Sequence, residues 1–378
     1  MKKVICVFCI FIALLTFSGC YEGGELKDRL IIQAVGVDYE NGEYKITLQA
    51  LNTGKGGNGD FEYGTDIVTV KGKSIAKALS SVSSFTGLNP LYSQNRIIIF
   101  GKSTRENKIP EILDFFSREY TLRLNVTVAV SDVSAYEILK ADSENESTGA
   151  AAFTGIIETG IENSVCVCSE VYRVINGFNE KTSACLIPVL SLKKDGMNGK
   201  NTVILDGTAV FKDENYVMTL SPDETAILNI INNSAGHTVF AFDIDKSPVC
   251  IDTVKIRTKR KVKFENGVYY FGADVKCRAD IIEYEDGDND SIDENAVENA
   301  GAKAEKYIAS ECEKLFEKLK KNKCDAVRFL RLSAISDPEV YLENEDEYER
   351  YFARSVFSAG VSVSIRRIGQ NTVEKKVK

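Results

Sequence analysis

Apolar and polar positions follow two periods along this chain, and the switches between them mark its elements. Val4 to Leu15 is an unbroken apolar run of twelve residues behind Lys2 and Lys3. A bilayer-spanning helix needs about 20 apolar residues, so this run is too short for a permanent span and has the anatomy of an export signal. After a polar spacer, Tyr21 to Asp28, Leu30–Val37 and Tyr44–Leu51 read as strands joined at Asn41-Gly42, a strong hairpin signal. Thr53 to Asp60 is a glycine-rich loop, and Ile67–Val70 resumes strand character. Lys73–Ser84 predicts a helix with Ile75, Ala78, Leu79 and Val82 on one face. Arg96–Phe100 reads as a buried strand, Pro110 opens a helix to about Arg118, Leu122–Val130 is a strand and Ala135–Leu139 a short helix. The polar run Asp142–Gly149 is a loop before a helix over Ala150–Asn163. Ser183–Leu192 is a strand interrupted by Pro188. The charged link Lys193–Lys200 predicts the main domain boundary.

The second half repeats the style. Val203–Phe211 and Tyr216–Leu220 form a hairpin around Asp213-Glu214-Asn215. Ser221-Pro222-Asp223-Glu224 has the residues of a capping box opening a helix over Thr225–Ile231. His237–Ile244, Val249–Val262 and Val268–Ile282 read as strands, the last two turning at Glu265-Asn266-Gly267. Val249–Val262 alternates apolar with charged residues, so one face should meet solvent. A long helix over Ala296–Lys320 carries Ala304, Ile308, Cys312, Leu315 and Leu319 at spacings of four and three. A helical region broken by Pro338 reaches Phe352, and Gly360–Ile368 is the last strand. Hairpins dominate, which predicts an α+β chain of two to three domains, with mainly antiparallel or mixed sheets and helices packed on one face. The expected division is a signal at 1–19, an N-terminal domain at 20–200, a C-terminal domain at 201–370 and a polar tail at 371–378.

The apolar run ends in Phe17-Ser18-Gly19-Cys20, which resembles the bacterial lipoprotein signal. Small residues admit the peptidase, and the Cys20 thiol would carry a diacylglyceryl group. Two acyl chains hold a domain stably on a membrane. The whole chain has net charge −8, which becomes −10 once the two signal lysines are removed. That balance speaks against nucleic acid as a partner and against general attraction to anionic lipid. Beyond Cys20 lie Cys166, Cys168, Cys185, Cys250, Cys277, Cys312 and Cys324, an odd and scattered set that does not read as a disulfide framework.

Other motifs carry little chemistry. Gly54, Gly56 and Gly59 spell G-x-G-x-x-G, but the following Phe61–Val70 is strand-like, whereas a nucleotide loop must open a helix. Asp286, Asp288 and Asp290 have the spacing of a calcium loop, yet Ser291 stands where glycine is needed and Val297 where a bidentate glutamate is needed. Cys166-x-Cys168 lacks the spacing of zinc and redox pairs. His237 is the one histidine in the chain, so any triad must use it and a histidine metal cluster is excluded. No cofactor or metal is expected.

Taken in order, several short stretches resemble the Ger(x)C family, the lipoprotein C subunits of spore nutrient-germinant receptors. Gly19-Cys20, Asp28-Arg29, Ile31-Ile32 and Val35-Gly36-Val37-Asp38 are similar to the family's opening, and Ile97–Gly101 to one of its strands. Arg118-Glu119 resembles its Arg-Asp pair. Asp206–Phe211 followed by Leu220–Thr225 resembles the opening of its C-terminal domain, and Tyr348–Tyr351 with Val361–Gly369 its closing helix and strand. The resemblance implies a non-enzymatic subunit without catalytic residues, anchored by lipid at Cys20 to the outer face of the spore inner membrane. It implies integral membrane A and B subunits as partners in nutrient-triggered germination. The alternative is a solute-binding lipoprotein of a transporter, which would need two doubly wound parallel lobes around a hinge; a surface hydrolase is opposed by the lone histidine.

Overall fold

The computed structural model describes residues 28–55, 61–106, 108–118, 123–141, 149–194, 201–244, 247–284, 294–368 and 371–372. Strand β1 (Arg29–Glu40) turns back into β2 (Glu43–Lys55) through Asn41 and Gly42, at φ 54° and 81°. Such a turn matches the twist of the strands it joins and needs residues that tolerate positive φ. β3 (Phe61–Gly72) pairs with β2, so the expected loop starting at Thr53 begins as strand. The Lys73–Ser84 helix is two short ones, α1 (Ile75–Ser80), capped by the Ser74 hydroxyl, and α2 (Val82–Thr86), which ends at the left-handed Gly87. β4 (Asn89–Leu91) adds parallel to the start of β1, and β5 (Ile97–Phe100) is buried at all four positions. Then follow α3 (Lys102–Arg105), α4 (Ile109–Arg118), β6 (Thr127–Ser131), α5 (Ala135–Lys140) and α6 (Gly149–Glu162). α7 (Val171–Asn179), a helix not anticipated from the sequence, precedes β7 (Cys185–Lys194).

β8 (Asn201–Lys212) and β9 (Asn215–Leu220) complete one nine-stranded sheet of order β3-β2-β1-β5-β6-β7-β8-β9, with β4 on the side of β1. Its flanks are antiparallel hairpins, while β1, β5, β6 and β7 run parallel. β7 pairs antiparallel with β8, so hydrogen bonding passes across the link at 193–200 where the sequence divides the chain. Pro188 sits beside a register shift in that ladder, where a strand tolerates a missing N–H.

Helices cover both faces of this sheet, contrary to the expected single face. Ile75, Ala78, Ile112, Phe116, Val171 and Val174 from α1, α4 and α7 meet Ile32, Val37, Ile98 and Val128 on one side. Ala135, Leu139, Phe153 and Ile157 from α5 and α6 meet Ala34, Ile97, Ile99 and Ala129 on the other. The parallel centre explains this: strands buried on both faces must be apolar throughout, as Ile97-Ile98-Ile99-Phe100 is.

α8 (Pro222–Ile231) leads to the second sheet, of order β10-β11-β12-β13-β14. β10 (Val239–Ile244), the long β11 (Ser247–Glu265) and β12 (Val268–Tyr284) are antiparallel. β13 (Val356–Ile368) lies parallel to β12, and β14 (Asn371–Thr372) closes the edge. α9 (Glu294–Lys321) packs Ala304, Ile308, Cys312, Leu315 and Leu319 into a core with Val275, Cys277 and Ile281. α10 (Phe329–Ser336), α11 (Pro338–Asn344) and α12 (Tyr348–Arg354) complete the chain. Phe316 lies 4.6 Å from Phe357, and Phe271 4.7 Å from Phe329, centroid to centroid. This mixed second sheet is not the doubly wound parallel lobe that a hinge-type solute binder requires.

Candidate functional site

Cys20 and residues 1–19, Gly56 and Gly59, Glu119, the acidic loop with Asp286, Asp288, Asp290 and Ser291, and the tail from 373 lie outside the described residues. Of the remaining motif residues, Gly36–Asp38 with Gly101 and Asp206–Thr208 with Ser221–Glu224 form two joints.

The first joint is built by Gly36-Val37-Asp38 and Gly101. β1 ends beside the start of α5, and the Asp38 carboxylate accepts hydrogen bonds from the backbone N–H groups of Ala135 (3.0 Å) and Tyr136 (3.3 Å). A carboxylate there satisfies donors that the helix cannot satisfy itself and meets the positive end of its dipole. Asp38 is fully buried, and burial raises its pKa above the ordinary value despite these bonds. Gly101 N–H donates to the Val37 carbonyl (2.9 Å), and the Thr104 hydroxyl donates to the same carbonyl (3.1 Å). A Cβ on Gly101 would stand 1.8 Å from Asp38 Oδ1, and one on Gly36 would stand 2.8 Å from Leu139 Cδ1. The glycines are thus set by how closely α5 approaches the strand ends.

The second joint is built by Asp206-Gly207-Thr208 and Ser221–Glu224. Gly207 has φ +91°, and a Cβ there would lie 2.0 Å from the Leu220 carbonyl oxygen. The capping box forms: Ser221 Oγ accepts from Glu224 N–H (3.1 Å), and Glu224 Oε2 accepts from Ser221 N–H (3.0 Å). Lys318 Nζ of α9 donates to both Glu224 oxygens, at 2.7 and 2.8 Å. This motif therefore ties α8 to α9.

Two clefts lie near these joints. One of about 750 Å³ is lined by His237, Asp252, Tyr307, Glu311 and Lys314 among others. His237 is exposed, with Nδ1 3.9 Å from Asp252 Oδ1; the cleft wall holds no serine or cysteine, and its hydroxyls are those of Thr238 and Tyr307. The other cleft, of about 420 Å³, opens between the sheets and is lined by Arg173, Arg260, Arg328 and Arg331. Carboxylates accompany them: Glu170 is 2.6 Å from Arg173, and Glu180 is 3.5 Å from Arg331. Asp325, missed from the sequence, lies buried near Arg260 and accepts from the N–H groups of Phe329 (3.1 Å) and Leu330 (2.8 Å). Burial holds its pKa up at about 6 against those bonds. Only its position four residues ahead of an apolar helix could have signalled it. Among the described residues no cluster of histidine, cysteine, aspartate and glutamate is suited to a metal ion. Cys166, Cys185, Cys277, Cys312 and Cys324 are buried and free, and burial pushes each thiol up to about 12. Such thiols are inert. The joints are structural, each holding a helix start to neighbouring elements through backbone and side-chain hydrogen bonds.

Both halves of the chain match known protein domains. Residues 23–192 match the spore germination protein N-terminal domain, and residues 206–369 match the spore germination B3/GerAC-like C-terminal domain. The chain belongs to the GerAC family of spore germination proteins. It is 23% identical to spore germination protein GerQC of Bacillus cereus, over 95% of this chain and 98% of that protein. It is 24% identical to spore germination protein KC of Bacillus subtilis, over 98% and 97% of the two chains. The crystal structure of the GerBC protein has a similar fold, with a TM-score of 0.61 over 88% of this chain and 96% of that one, at 18% identity. Both joints lie within the matched ranges, Gly36–Asp38 and Gly101 in the first and Gly207 and Ser221–Glu224 in the second. No described helix is long and apolar enough to cross a membrane.

Proposed function

We propose that this chain is a non-enzymatic, lipid-anchored subunit of a spore nutrient-germinant receptor. Cys20 carries the diacylglyceryl group, and the folded body stands on the outer face of the spore inner membrane, where it assembles with integral membrane A and B subunits. The division at 20–200 and 201–370 is part of the same reading as a division of the sequence, since β8 and β9 of the second part complete the first sheet. The observation that carries it is the ordered pair of family matches spanning 23–369.

The test is germination of spores from three strains, followed by loss of optical density. Deletion of the chain should abolish the response to the nutrients of one receptor and spare other routes. Cys20→Ala should weaken the response by depleting the complex at the membrane, and His237→Ala should leave it nearly intact. A normal response in the deletion strain, with no redundant paralogue present, would overturn the receptor reading. A selective defect from His237→Ala in a stably folded protein would revive an enzymatic one.

A further inference from the structure

The acidic net charge of the chain conceals a segregated basic surface. On β11 the outward positions Lys255, Arg257, Lys259, Lys261 and Lys263 are all basic and all exposed, while Ile256, Thr258, Val262 and Phe264 between them turn inward. On β12, Lys276 and Arg278 face the same way. The register sets Lys255 opposite Arg278 and Arg257 opposite Lys276. Like charges directly opposite each other on a sheet are destabilising, so stability alone does not account for this arrangement. Three acids enter the field and are already engaged: Asp274 with Lys261, Asp280 with Arg366 (3.0 and 2.7 Å) and Glu265 with Lys263. Lys255, Arg257, Lys259, Lys276 and Arg278 form no ion pair among the described residues.

Beside this ridge runs a lane without large side chains. The outward positions of β13 are Ser358, Gly360, Ser362 and Ser364, in register with Gly272, Asp274, Lys276 and Arg278 of β12. Exposed apolar side chains close the lane at one end, where Tyr270 and Val356 pair, and Ile282 stands beyond the other. Cations on alternate strand positions recur about every 6.6 Å, the repeat at which an extended chain presents its own alternate side chains.

We propose that this face docks an extended acidic segment of a partner protein, laid along the β13 lane with its carboxylates toward the β11–β12 cations. Charge complementarity selects an acidic partner. The lane selects a polypeptide: serine hydroxyls and Gly360 admit a backbone closely. A strand pair as long as β11–β12 also twists along its length, which an extended chain can follow and a planar bilayer cannot.

The full-length protein in neutral phosphatidylcholine vesicles is titrated with a fluorescent oligoglutamate peptide, and its lysines are footprinted by acetylation and mass spectrometry. Oligoglutamate should protect Lys255, Lys259, Lys261 and Lys276 and leave the exposed Lys102 of the other sheet reactive. The triple variant R257Q/K259Q/K276Q should bind about tenfold more weakly and show a smaller salt dependence of binding. These positions are exposed, and an unchanged circular dichroism spectrum checks that the variant is folded. Equal affinity of the variant and the parent would overturn the proposal. So would protection of the same lysines by phosphatidylglycerol vesicles without peptide, which would assign the face to anionic lipid. The footprint on the parent protein stands even if the variant is unstable. Neither readout depends on germination, so failure here leaves the receptor reading untouched.

Discussion

Gly101→Ala isolates the first joint, because it adds one methyl group at a position whose φ of −68° suits any residue. The new Cβ would lie 1.8 Å from Asp38 Oδ1 and 2.7 Å from the Ala135 backbone nitrogen. Asp38 cannot swing aside without releasing the N–H groups of Ala135 and Tyr136, and Gly101 cannot retreat without stretching its own 2.9 Å bond to the Val37 carbonyl. Overpacking of this kind costs about 1–3 kcal/mol, and a buried hydrogen bond broken to relieve it adds about 1–3 kcal/mol. Together they predict a loss of about 2–6 kcal/mol, or a urea midpoint lowered by about 1–2 M. Gly155→Ala is the counterpart: that glycine lies inside α6 with nothing within 4 Å of an added Cβ, so the change should stabilise by about 0.5–1 kcal/mol. Asp38→Ala removes the closest atom of the clash, and the double variant should be at least about 1 kcal/mol less destabilised than the sum of the single ones. Urea unfolding followed by far-ultraviolet circular dichroism measures all four. A Gly101→Ala midpoint equal to that of the parent, or strict additivity with Asp38→Ala, would refute the packing argument.

Three further outcomes follow from the charges and thiols. Burial raises the Asp325 pKa from 3.8 to about 6, so the folded state holds its proton longer than the unfolded chain does; the contribution is fully present below about pH 4 and is lost as pH rises through 6, about 3 kcal/mol in all. Asp325→Asn should flatten that decline between pH 4 and 7 in urea midpoints, and an undiminished decline would contradict it. Glu224→Gln weakens the pair with Lys318, whose partners are each about a third exposed, and should cost about 1 kcal/mol or less after solvent screening, measured as a thermal midpoint against the parent. Among the seven cysteines beyond Cys20, Cys168 alone is exposed and Cys250 is half-buried, so Cys168 should alkylate first in the folded protein, and all seven should alkylate on denaturation without reductant; fewer labels would reveal a disulfide.

Local chemistry made the hairpins legible. Asn41-Gly42 and Asn266-Gly267 adopt the positive φ that their residue types favour, and the Ser221 capping box forms as its spacing requires. The long α9 stripe from Ala304 to Leu319 is the buried face that its period marks. What sequence patterning missed depends on distant partners. Ile97–Phe100 reads as a buried strand, but its parallel neighbours β1 and β6 are fixed by chain segments some 30 residues or more away, and with them the need for helices on both faces. α7 carries Val171, Val174, Ile175 and Phe178 at helical spacing, but three β-branched residues and Gly177 within nine positions weaken its intrinsic helical signal. The roles of Gly36, Asp38 and Gly101 were visible only as resemblance, since the contact that constrains them joins β1, β5 and α5 in space. The bulk charge of −8 likewise hid the basic face, because composition averages over the alternation of β11.

The pairing of β7 with β8 has a consequence for the order in which this chain can mature. Its first sheet is not finished at residue 194, since β8 and β9 run to Leu220. As the polypeptide is synthesised from its N-terminus, the parallel strands up to β7 must wait with one edge uncovered until Asn201–Lys212 emerges. Parallel pairings are slow to form, because long loops must close before any contact is made, and an open edge invites pairing with other chains. The hairpin that covers β7 is therefore the step that ends this vulnerable interval. A chain stopped near residue 200 should aggregate where one extended past Leu220 does not.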